Sequence, residues 1–128
     1  MKISIISLFI ILLTINCDSQ GIKNGGSYKS DRFDRLNAFY LYDYISKSDV
    51  LKHANSSDHN DGSLTFNYYF SYNANIPSHD LLSSKTIEGA LGLIKTYSHS
   101  IKYGYLKNKS GVITFVNCSE EPENDICK

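Results

Sequence analysis

Leu64-Thr65-Phe66-Asn67-Tyr68-Tyr69-Phe70-Ser71-Tyr72-Asn73 alternates without a break. Leu64, Phe66, Tyr68, Phe70 and Tyr72 fall on one side of an extended chain, and Thr65, Asn67, Tyr69, Ser71 and Asn73 on the other. Successive strand side chains point to opposite faces, so a period of two predicts a strand with one aromatic and one largely polar face. An antiparallel sheet wetted on one side reads this way. Tyr69, set among Thr, Asn and Ser, gives that polar face the composition of an adaptable binding surface. The same composition also suits a plain solvent-facing sheet.

Outward toward the C-terminus, Ala74 to Ser83 is a connection carrying Pro77. Ser84 to about Ser100 reads as an amphipathic helix, with Ile87, Ala90, Leu91, Ile94, Tyr97 and Ile101 on its apolar stripe. Gly89 and Gly92 weaken it, each by roughly 1 kcal/mol relative to Ala. Lys102 to Leu106 and Val112 to Val116 read as two strands of a hairpin. Lys107 to Gly111 joins them, with Gly111 free to adopt a positive φ. Toward the N-terminus, Asn55 to Ser63 is a loop, and Asp31 to Ala54 reads as helix, with Phe33, Leu36, Tyr40, Leu41, Tyr44 and Ile45 at three- and four-residue steps. A break near Ser46 would make two short helices of it, since Ser48 and Asp49 offer a second cap. The expected fold is α+β: a three-stranded, mostly antiparallel sheet with two or three helices packed on one face.

Composition narrows the class. The chain has 128 residues and 41% hydrophobic content, which suits one folded domain and not a disordered chain. Ten Tyr and six Phe with no Trp suit the margin of a small core, where a ring packs and its hydroxyl stays wet. Formal net charge is zero, so no global field attracts nucleic acid, and none is expected as a partner.

The N-terminus carries a separate signal. Met1-Lys2 is followed by an apolar run from Ile3 to Ile15 interrupted only by Ser4, Ser7 and Thr14. A run of about thirteen residues fits the apolar region of a signal peptide and is short for a membrane span of about twenty. Residues 1–16 are therefore expected to direct export, residues 17–30 with their glycines to form a flexible tether, and residues 31–128 to form a single domain. Two cleavage readings stand. Leu13-Thr14-Ile15-Asn16-Cys17 departs from the strict lipobox, which wants Leu three places before the Cys and a small residue just before it. It resembles the looser version of spirochaete lipoproteins, which accepts Asn before the Cys. That resemblance covers only the first seventeen residues, and it implies an acylated Cys17 and a membrane tether of more than one acyl chain. In the other reading, ordinary signal peptidase cuts beyond Cys17, for instance after Ser19.

The three cysteines fit either route. Cys17 is lipidated or discarded, which leaves Cys118 and Cys127 as a pair. A disulfide between them closes a loop of roughly ten residues and contributes roughly 2–3 kcal/mol in the chain-entropy model. It would pin the acidic tail of Glu120, Glu121, Glu123 and Asp125 to the last strand. The spacing is too wide for a Cys-x-x-Cys redox or zinc pair.

No catalytic or cofactor motif is recognised, and no cofactor or metal is expected. Asp58-His59 and His79-Asp80 set a carboxylate beside an imidazole in sequence, but catalysis needs them to meet in space, and adjacent loop side chains usually diverge. Asp58 to Gly62 is only superficially a calcium loop: Gly62 falls fifth where the sixth place needs Gly, and Tyr69 stands where the twelfth needs Glu. Lys107 and Lys109 at the hairpin tip could make a salt-sensitive contact with an anionic glycan or partner surface, or simply be solvated. Two functions remain. One is a small exported lipoprotein of the cell envelope or outer surface, with a binding or structural role, tethered to the membrane through Cys17 and engaging a protein or glycan through Tyr69, Lys107 and Lys109. The other is a freely secreted effector or small hydrolase with a His/Asp site in the loops of His59 or His79.

Overall fold

The computed structural model describes residues 21–30, 34–42, 44–56, 62–71 and 84–128. The expected signal segment with Cys17, and the loop histidines His59 and His79 with their neighbouring aspartates, lie outside these residues. Five strands and two helices make up the described chain: β1 Ile22–Lys29, β2 Arg35–Leu41, α1 Lys47–Ser56, β3 Thr65–Ser71, α2 Ile87–Lys95, β4 Ile101–Lys107 and β5 Ile113–Asn117. Short 3₁₀ turns at Ser98–Ser100 and Asp125–Cys127 complete it.

The strands form one sheet in the order β1-β2-β3-β4-β5. β2 and β3 run parallel, and the other three pairings are antiparallel. The three-stranded sheet with helices on one face is thus corrected to a five-stranded mixed sheet with a helix on each face, still α+β. The parallel pair needs a crossover connection, and α1 lies within it.

The helix expected to reach about Ser100 stops at Lys95, and Ile101, expected on its stripe, opens β4. Two further sequence assignments change, each for a physical reason. Arg35–Leu41, expected as helix, is β2. Leu36 and Ala38 pack on one face and Phe39 and Leu41 on the other, so beyond Asn37 the strand is apolar on both sides and its alternation breaks off. A short apolar run buried on both faces cannot be told from a helix by period alone. Ile22–Lys29, expected as part of a flexible tether, is the edge strand β1. Its glycines leave little local preference for a strand, and pairing with β2 supplies the rest. At the register shift between Asn24 and Gly26, Gly26 takes φ 145°, a conformation that suits glycine, and its N–H donates to Asn24 Oδ1 at 2.8 Å.

The two faces of the sheet are filled differently. On one, Tyr28, Leu36, Ala38, Tyr68, Phe70 and Val116 pack under Ala90 and Ile94 of α2 and beside Cys118 and Cys127. Thr86 caps α2, its Oγ1 accepting from the Gly89 N–H at 3.0 Å. On the other, Phe39, Tyr69 and Tyr105 pack under Val50 and Ala54 of α1. The expected hairpin is present as β4–β5, with Gly111 at φ 88° in its turn. Among the described residues, no helix is long and apolar enough to cross a membrane.

Candidate functional site

The side of β3 expected to face solvent is closed. Thr65, Asn67 and Tyr69 are all fully buried, and α1 packs over Tyr69. Tyr69 therefore presents no surface to a partner, contrary to the reading of this face as a free binding surface. Its hydroxyl lies 2.9 Å from His53 Nδ1 of α1, and its ring stacks on Phe39 at 5.1 Å between centroids. Phe39 also meets the His53 ring edge-to-face at 4.7 Å. Nearby, Asn37 Nδ2 donates to Asn67 Oδ1 at 2.8 Å across the parallel pair, and Tyr105 Oη donates to Asn55 Oδ1 at 3.2 Å.

Burial sets the protonation states here. It lowers the His53 pKa, so the imidazole favours its neutral form. It raises the Tyr69 phenol well above its ordinary range, with Tyr105 adding to the rise and a hydrogen bond from Asn67 opposing it. A neutral imidazole and a protonated phenol share one hydrogen bond, whose direction follows the imidazole tautomer. This arrangement ties α1 to the sheet. Among the described residues it joins no carboxylate to the imidazole, and Thr65 Oγ1 on the same strand is buried without a hydrogen-bond partner there. Among the described residues, no three His, Cys, Asp or Glu side chains gather as a metal site would require.

Sequence reasoning missed this cluster. Its signal was Asn37 and Asn67, amides set in otherwise apolar strands, where a polar side chain needs a partner.

An open surface lies at the β4–β5 end. Lys107 closes β4, and Lys109 is exposed in the turn between the strands. Val112 and Ile113 follow, 59% and 46% exposed respectively. Beyond β5, Cys118 and Cys127 are joined in a disulfide, and the tail between them carries Glu120 and Glu121 on the surface. Clefts also open elsewhere among the described residues. One of about 550 Å³ beside the start of α2 is lined by Lys29 and Lys85 but also by Asp34 and Glu88, so its charges are balanced. One of about 300 Å³ lies between His99, Ile101, Pro122 and the disulfide.

Comparison of the chain with protein-family models, with curated proteins and with solved structures gives no match.

Proposed function

We propose that this is an exported lipoprotein, held at a membrane by acylated Cys17, whose folded domain acts by binding at the β4–β5 end of its sheet. The disulfide carries the proposal. Cys118 and Cys127 satisfy one another, so the odd cysteine is Cys17, placed directly after an apolar run of signal-peptide length. Paired thiols in a small domain persist in oxidising compartments, which favours export over a cytosolic life. A single acyl chain is a marginal anchor, so stable tethering requires more than one, as the resemblance to spirochaete lipoproteins implies.

The partner is a protein or glycan surface. What favours the β4–β5 end is that the polar face of β3 is covered, while Lys109, Val112 and Ile113 stay exposed at the turn before β5. The test is the intact mass of the mature protein from its native host, before and after reduction. The expected mass begins at Cys17, includes acyl chains, and rises by about two daltons on reduction of the one bridge. An unmodified mass beginning beyond Cys17 would sink the tether and favour a diffusible effector.

A further inference from the structure

We infer that β5 is a self-association seam, along which two copies of this chain join their sheets edge to edge, antiparallel, about a two-fold axis at Thr114. The inference rests on the functional reading above only for its choice of contact region, and it holds whether or not Cys17 is acylated.

The hydrogen-bond pattern of the hairpin fixes the geometry. The Asn108 N–H donates to the Val112 carbonyl at 3.0 Å, and the Cys118 N–H donates to the Lys102 carbonyl at 2.9 Å. The register between them sets Leu106 opposite Thr114 and Gly104 opposite Val116. In an antiparallel ladder, bonded and non-bonded pairs alternate. Thr114 and Val116 therefore bond inward to β4, and Ile113 and Phe115 turn both N–H and C=O away from the sheet. β5 stands last in the strand order, so among the described residues no strand meets those groups. The next outward carbonyl, that of Asn117, already accepts from the Glu120 and Glu121 N–H groups.

A second β5 fits that set of free groups. Run antiparallel with Ile113 opposite Phe115 of the second copy, the two strands form two bonded pairs related by the axis, each exchanging two hydrogen bonds. Thr114 then faces Thr114 of the second copy across a non-bonded pair, a favourable cross-strand match. Charge selects the same arrangement. Lys109 lies just before β5 and Glu120 and Glu121 just after it, all exposed. Antiparallel pairing brings Lys109 of each copy beside Glu120 of the other, whereas a parallel pairing would set like beside like. The chemistry of the two sheet edges differs in the same sense. β1 carries Lys23, Lys29 and a glycine bulge, devices that discourage edge pairing. Ile113-Thr114-Phe115-Val116-Asn117 has no proline, no charge and no bulge.

The test uses the full chain in its exported form. Thr114→Cys should give a dimer on mild oxidation, reversed by reductant, because a non-bonded antiparallel pair holds its Cα atoms about 4.5 Å apart, within disulfide reach. Ser110→Cys, exposed in the same hairpin but away from the axis, should give none. Sedimentation of the unmodified chain should show a dimer. Ile113→Pro should dissociate it, since that substitution removes an outward N–H and leaves the inward ladder intact. Lys109→Glu leaves the strand untouched and should weaken association roughly tenfold by setting like charges together at both ends of the seam. Adding Glu120→Lys should restore it. A monomeric unmodified chain, or equal crosslinking through residues 110 and 114, would overturn the seam. Neither result bears on the mass of the N-terminus, so the tether and the seam fail separately.

Discussion

The two faces of the sheet hold their helices by different chemistry. The α2 face is tightly packed and stapled: Ala90 and Ile94 are fully buried on it, and the disulfide draws the C-terminal tail across the strands. Ile126 from that tail sits over Gly104 so closely that any Cβ there would overlap its Cγ2. The α1 face is aromatic and polar, and its helix is tied down by side-chain hydrogen bonds, His53 to Tyr69 and Asn55 to Tyr105. Burial of apolar surface is insensitive to pH, whereas a half-buried imidazole is not. One small sheet thus carries a face fastened by packing and covalent closure beside a face whose fastening depends on protonation.

Four changes would break or sharpen this contrast, and the largest removes the staple. Cys118→Ala with Cys127→Ala should cost about 2–4 kcal/mol, read as a lowered denaturant midpoint, and should release the tail to proteolysis. A midpoint unchanged from the native chain would mean that the tail adds nothing to the α2 face. Next is Gly104→Ala, which forces Ile126 from its seat and should cost about 1–3 kcal/mol through overpacking. Val116 and Tyr68 flank that position in the sheet register, so the loss should appear in the same melting transition and not as separate fraying of the tail.

The smallest change separates the α1 face. Tyr69→Phe removes the hydroxyl that bonds His53 and should cost about 1 kcal/mol. The sign of its pH counterpart follows from linkage. The folded pKa of His53 lies below its ordinary value of 6.5. Above that value the imidazole is neutral in both states and stability is fully present. Below it the unfolded chain takes up the proton first, so stability is lost as the pH falls from 6.5 through the folded pKa. His53→Gln cannot titrate and should flatten that slope in urea melts taken between pH 7 and pH 5. A slope unchanged in the variant would remove His53 from the account.

Much of the fold was legible residue by residue. The alternation across Leu64–Asn73 marks β3, the run from Ile87 marks α2, and Gly111 marks the hairpin turn, because each is a local pattern that one element suffices to satisfy. β2 was illegible for the opposite reason. A strand packed on both faces loses its alternation, and its Leu36, Tyr40 and Leu41 imitate a helical stripe. Of the candidate site, Lys107 and Lys109 fall at the hairpin end as read, since a turn displays its own residues. Tyr69 does not reach the surface, since what covers a strand lies elsewhere in the chain.

The sequence by itself determined the local elements with strong periods, the pairing of two of three cysteines, and a charge pattern that sets a lysine before β5 and glutamates after it. Only the tertiary structure decided that α1 crosses the polar face of β3 and that Ile22–Lys29 is a strand. It also decided which strand stands last in the sheet among the described residues. The physical reason is one of range: periodicity and turn chemistry act within a few residues, whereas burial of a face and exposure of an edge depend on which distant segment arrives to cover them.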